Sequence, residues 1–148
     1  KMRQDVKEKL AGGLPCMAEC GGFMYIHDFI EDSGGTLRSM VGIIRGKAYK
    51  TPKLQRFGYV ELTAKSDGLL LGEGESVRAH EFHYWNSTNC GSGYHAVKAS
   101  SGVEYDCVHS SKTMYAGYPH INFYANVNTA INFAQKCSEY SREKNEQD

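Results

Sequence analysis

The chain has 148 residues, 41% hydrophobic and 23% charged, and its 17 Lys and Arg balance its 17 Asp and Glu. That is enough chain for one domain with its own core. The neutral balance gives no sign of a basic nucleic-acid binder or an acidic binding tail, and no apolar run is long enough to span a bilayer as a helix.

Taken in chain order, residues 5–10 (DVKEKL) read as the end of an amphipathic helix, stopped by Gly12 and Gly13. Residues 14–19 (LPCMAE) form a short apolar run between turn residues, expected as a buried strand. Phe23, Ile26, Phe29 and Ile30 then recur at helical spacing, and Ser33-Gly34-Gly35 closes that segment. Residues 45–53 (RGKAYKTPK) are basic and weakly patterned, and are expected as the most disordered stretch, a surface loop. Strands are expected at 40–44, 57–63, 77–85, 93–98 and 104–109, where Val, Tyr, Phe and Thr dominate. The run 114–123 is strand-like but broken by Gly117 and Pro119. A closing helix is expected over about 128–143, and the last six residues, EKNEQD, should be solvated and frayed. The pattern predicts a mixed α/β fold, part of a parallel sheet with an antiparallel extension.

The five cysteines, Cys16, Cys20, Cys90, Cys107 and Cys137, are odd in number and scattered. Such usage points to a reduced, cytoplasmic protein. A zinc site from Cys16, Cys20, His80 and His83 is weaker than plain burial of the cysteines, so no metal is expected.

Cys20 stands where the short strand meets the next helix, in the frame Ala18-x-Cys20-x-Gly22. A sharp strand-to-helix turn holds its tip residue in a strained conformation with the side chain free, and small residues flank it so that neighbouring backbone can pass. The helix start would favour thiolate, and the Gly21 N–H would face an oxyanion formed on an attacked carbonyl. A structural cysteine before a glycine turn remains the rival reading. A cysteine nucleophile needs a base, and of six histidines His120, in the loop before the last helix, has the most suggestive setting.

Five runs occur in order: AECGGFMYI (18–26), MVG (40–42), KLQRFGYVEL (53–62), RAHEFHYW (78–85) and GYPHINF (117–123). Together they resemble the glutamine amidotransferase domain of cobyrinic acid a,c-diamide synthases, over about residues 14–123. The resemblance implies a class I glutamine amidotransferase-like fold, a flavodoxin-like three-layer α/β arrangement with a mixed sheet. It implies that Cys20 attacks the side-chain amide of glutamine and that His120 acts as base and acid. Ammonia would pass to an ATP- and Mg²⁺-dependent synthetase domain, a ligase of cobalamin biosynthesis that amidates the a and c carboxylates of a corrinoid. Glu81 and His83 are expected near the site with no assigned step; a polar network ordering strand and loop explains them as well. Asn122 stands where related enzymes place a glutamate that orients the histidine, which leaves a full triad open. Ala79 stands where the family usually has glycine.

No G-x-x-x-x-G-K-[ST] run occurs, so this chain is expected to carry no ATP site. The family's upstream glycine-rich loop, a second oxyanion donor, is also missing. Residues 1–148 therefore read as an N-terminally truncated, C-terminal glutamine amidotransferase fragment, itself weak or inactive, since one lost donor costs about a hundredfold in rate. Three alternatives stay open: a nickel-sirohydrochlorin a,c-diamide synthase domain, a cysteine hydrolase of the same fold acting on another amide or ester, and a non-enzymatic corrinoid-binding module using the ten Tyr and six Phe.

Overall fold

A computed structural model describes residues 1–146. Helix α1 (Met2–Ala11) is followed by β1 (Cys16–Glu19), the short α2 (Gly21–Tyr25), β2 (His27–Glu31), β3 (Leu37–Ser39) and β4 (Ile44–Lys50). Then come β5 (Arg56–Ala64), β6 (Ser76–His83), β7 (Trp85–Ser87), β8 (Tyr94–Lys98) and β9 (Glu104–Cys107). The chain closes with β10 (His109–Ser110), β11 (Met114–Gly117), β12 (His120–Ile121) and α3 (Asn128–Asn145). The expected mixed α/β class is what the chain adopts, with its strands divided among three sheets. These are β1-β11-β10, β12-β6-β5-β8-β9 and β3-β2-β4-β7. Parallel pairing occurs between β1 and β11 and between β2 and β4.

Two apolar clusters hold these sheets. The larger takes Val60, Leu62 and Ala64 from β5, Val77 and Ala79 from β6, the Leu69–Leu71 turn, and Tyr94 and Tyr115. Period-two alternation along β5 and β6 explains why: one face of the sheet is buried and the other exposed. The smaller cluster gathers Ala18, Phe23, Ile26, Val41, Ile44, Ala116 and Tyr118 around the β1–α2 corner.

Several local expectations are corrected by tertiary pairing. The helix expected from Gly22 through Ile30 stops at Tyr25, and residues 27–31 are strand β2. The reason is the returning chain, whose amides at Val41, Gly42, Ile43 and Ile44 donate to the carbonyls of Tyr25, His27 and Ile26. Those bonds satisfy the backbone that a longer helix would have used. Of the strand expected over 40–44, residues 40–43 are instead this linking loop and only Ile44 is strand, the first residue of β4. The stretch 45–53 is no disordered loop: most of it is β4, paired with β2 and β7, with Ala48 fully buried. Its basic side chains face outward, and Lys47 pairs with Glu31 across the sheet. The run 104–109 is interrupted at Val108, a buried residue with φ +67°. Gly91 bridges it there, and a Cβ on Gly91 would lie 2.4 Å from the Val108 backbone. Helix α3 extends through Asn145, two residues beyond the expected end and into the EKNEQD tail; Gln147 and Asp148 lie outside the described residues. Only Thr129 of α3 is buried; Phe133 leans on the larger core, and Asn132 donates to the Leu70 carbonyl at 2.8 Å.

Candidate active site

β1 and β11 run parallel in register from Cys16↔Met114 to Glu19↔Gly117. Both therefore end at one edge of their sheet. Cys20 follows β1, and its N–H donates to the Gly117 carbonyl at 2.9 Å. His120 comes three residues after the end of β11 and pairs with His80 of β6. The topology thus delivers Cys20 and His120 to the same end of neighbouring strands.

Cys20 has φ +46° and ψ −102°, a backbone state that L side chains rarely adopt. This is the strained corner the Ala18-x-Cys20-x-Gly22 frame predicts. A Cβ on Gly22 would meet the Ala18 Cβ at 3.7 Å, an ordinary contact, so the frame's spacing is looser than the sequence suggests. Phe23, the first core residue of α2, is fully buried against His27 and Tyr118 and pins the corner from behind.

The electrostatics differ from expectation. Burial pushes the Cys20 thiol above its ordinary value, the Gly21 N–H reaching the sulfur lowers it by less, and the Glu19 charge raises it further. A five-residue helix cannot offset the loss of hydration. Burial thus works against a resting thiolate, and nucleophilic use of the sulfur calls for a base.

The two side chains border different depressions. Cys20 lies with Met24, Lys50, Thr51, Phe82 and His83 along a cleft of about 640 Å³. His120 borders a groove of about 860 Å³ with Tyr59, Arg78, His80 and Asn122. His120 Nδ1 lies 3.2 Å from the Glu19 Oε2, and Glu19 Oε1 accepts the Ile121 N–H at 2.8 Å. Asn122 does not reach back in this way: its Oδ1 accepts the Tyr124 N–H at 3.1 Å.

Glu81 and His83 form a buried polar network on β6. Tyr105 donates its hydroxyl to Glu81, and Arg56 stacks on the Tyr105 ring at 3.6 Å. Burial first, and the Glu81 carboxylate second, push the Tyr105 phenol far up. His83 Nδ1 donates to the Trp85 carbonyl at 2.6 Å, and its ring stacks on Tyr118 with centroids 4.0 Å apart. Its Nε2 is buried without a hydrogen bond, 3.5 Å from Glu81 Oε1, which is within ion-pair range but long for a hydrogen bond. Among the described residues no group of three or more His, Cys, Asp and Glu is placed to hold a metal ion, so the zinc set is not assembled.

Two residues escaped the sequence reading. Glu19 sits inside the AECGG run, where its place beside the cysteine was its only signal. His27 lies within an apparently helical pattern, yet is wholly buried. Its Nδ1 donates to the Phe23 carbonyl at 2.8 Å and its Nε2 accepts from the Ser87 hydroxyl at 2.7 Å. Burial is the main reason its basicity is lowered.

Residues 1–128 match the model of the CobB/CobQ-like glutamine amidotransferase domain. The chain is 36% identical over 143 residues to a cobyrinate a,c-diamide synthase of Caldanaerobacter subterraneus subsp. tengcongensis, covering 95% of this chain and 32% of the relative. It is 33% identical over 144 residues to the synthase of that name from Thermoplasma volcanium, covering 96% of this chain and 31% of the relative. Against the Salmonella typhimurium synthase, identity reaches 49% over 72 residues, 49% of this chain and 16% of the relative. The chain thus spans about a third of the length of the curated relatives that match most of it. With strand, corner and histidine edge ordered as described, this chain belongs to the CobB/CobQ-like glutamine amidotransferase domain family.

Proposed function

We propose that this chain releases ammonia from glutamine for the amidation of a corrinoid, with Cys20 as nucleophile and His120 as proton carrier. His120 takes the thiol proton as the sulfur attacks the side-chain carboxamide carbon. The oxyanion is met by the Gly21 N–H, and beyond its chain neighbours and its own helix nothing lies within 4 Å of a Cβ placed on Gly21, which leaves room for the substrate. The C–N bond then breaks, His120 returns the proton to the leaving nitrogen, and ammonia departs. Water, activated by the same imidazole, cleaves the thioester to glutamate and free thiol.

The single observation that carries this reading is the Cys20 backbone, strained at φ +46° at the edge where β1 and β11 both end. Strain of this kind persists only where the surroundings enforce it, and it frees the sulfur. Cys20 and His120 line separate depressions, so proton transfer requires the two side chains to be drawn together. Catalytic hydrogen bonds in ligand-free sites are often long and tighten around the substrate.

The relatives' printed name supports cobyrinate as the acceptor, amidated at its a and c carboxylates in the intact protein. That ligase reaction is expected to need ATP and Mg²⁺. The residues of this chain do not fit them: no phosphate-cradling glycine run is present, and no metal-holding group occurs among the described residues. No step here passes through either.

A second reading has one observation in its favour. His83 shares the Cys20 cleft and has a free Nε2, so it could serve as the base. The test uses the full-length gene product and a chloroketone analogue of glutamine. Labelling at Cys20, blocked by glutamine, is expected, with ammonia release abolished in Cys20→Ser and His120→Ala. Loss in His83→Ala with retention in His120→Ala transfers the role to His83. Labelling at another cysteine overturns the glutaminase assignment.

A further inference from the structure

We propose that Glu19 is the carboxylate that positions His120, the role that Asn122 cannot fill. The inference rests on His120 being the proton carrier for Cys20.

The geometry is a two-point clamp. One oxygen of Glu19 faces His120 Nδ1 at 3.2 Å, and the other accepts the Ile121 N–H at 2.8 Å. Holding the backbone amide next to the imidazole fixes the carboxylate relative to the ring, so the first contact is not a chance surface encounter. The histidine backbone is secured separately, because β12 pairs with β6 through His120↔His80 and Ile121↔Ala79. Glu19 is itself anchored as the last residue of β1, in register with Gly117 of β11.

The chemistry follows from what a carboxylate can do. It only accepts, so the Nδ1 facing it must carry the hydrogen. Neutral His120 then keeps its lone pair on Nε2, the nitrogen left to take a proton from a thiol. When the second proton is taken at Nε2, the Nδ1–H keeps the same carboxylate acceptor and the ring keeps its orientation. Asn122 carries no charge to offer, and its side-chain oxygen turns instead to the Tyr124 N–H.

Glu19 also acts against the nucleophile. Its charge lies beside Cys20 and raises the thiol. A residue that only assisted Cys20 would be better neutral. The carboxylate at this point is accounted for by its hold on the imidazole. His120 is 47% exposed and Glu19 24% exposed at their side chains, so solvent weakens the coupling relative to a buried pair. The expected effect is accordingly about 10–100-fold, less than the ~10⁴-fold of a buried carboxylate–histidine couple.

Two measurements on the full-length gene product test this. In Glu19→Gln, the amide oxygen can still accept the Ile121 N–H, so the fold is kept. Glutamine-dependent kcat is expected to fall about 10–100-fold with KM within threefold, and Glu19→Asp should recover part of the loss. A kcat within twofold of the parent overturns the proposal. The second measurement reads the parent protein directly: ¹⁵N spectra of histidine-labelled protein, assigned by comparison with His120→Gln, should place the neutral-form hydrogen of His120 on Nδ1. A hydrogen on Nε2 overturns it. If His120→Gln itself retains full turnover, the glutaminase assignment of His120 fails instead, and the two failures are distinguishable.

Discussion

The edge of the three-stranded sheet and the five-stranded sheet beside it are built in opposite ways. At the edge, Cys20 holds a rare backbone conformation and its thiol is half-buried; His120, brought there by the outer strand β12 of the five-stranded sheet, stands exposed beside a partly exposed carboxylate. In the five-stranded sheet, β5 and β6 pair without interruption from Arg56↔His83 to Thr63↔Ser76, and β8 continues the ladder on the other side. Leu62, Tyr94 and Ala96 are wholly excluded from water there. The difference shows where the free energy lies. Regular pairing and apolar burial stabilise the second region, and that surplus lets the first keep a conformation costing about 1–3 kcal/mol. Even within the sheet the contrast recurs between faces. Opposite the core, Phe57, Tyr59, Phe82 and Tyr84 stay at least 44% exposed and touch one another and His80 only edge-on.

The contrast can be broken from either side. The largest effect should come from Cys20→Ala in the full-length gene product. Ammonia release from glutamine should fall by about four orders of magnitude or more, while turnover supplied with free ammonia is unchanged. Equal loss of both activities would mean the residue serves the fold. Leu62→Ala, in the centre of the larger core, should cost about 2–5 kcal/mol in urea unfolding, because a buried branched side chain leaves a cavity.

Alkali should attack the same region. Burial pushes the Cys107 thiol from 9.0 up to about 12 and the Tyr94 phenol from 10.0 up to about 12. Both folded values lie above the unfolded ones, so between about pH 9 and 12 the native state holds protons that the unfolded chain has lost. Stability is full below about pH 9 and falls as pH rises through that window. Urea midpoints at pH 8, 10 and 11 should decrease in that order; a flat series contradicts the burial of these groups. Cys20→Gly should raise stability by about 1 kcal/mol while abolishing glutamine hydrolysis, since glycine adopts a positive φ without strain. The smallest effect belongs to the exposed face: Phe57→Thr should shift unfolding by no more than about 0.5 kcal/mol.

The strands β5, β6 and β8 were legible because half-buried sheets impose a two-residue alternation on their own sequence. The Cys20 corner was legible because two glycines directly after a short apolar run mark a sharp strand-to-helix turn, and the quoted runs carried the family resemblance. Residues 27–31 and 45–53 were misread because their state depends on pairing with distant chain. The β2–β4 ladder and the amides of residues 41–44 override a local helical pattern and a weak loop pattern.

The sequence by itself determined the mixed α/β class, the place of Cys20 before two glycines, and the candidacy of His120. Only the tertiary structure decided what faces His120. Glu19 precedes it by 101 positions, and no local period links residues that far apart; the parallel register of β1 and β11 brings them together. It likewise buried His27 and separated the grooves of Cys20 and His120, because side-chain environment is set by which strands become neighbours, and that is a property of the folded chain.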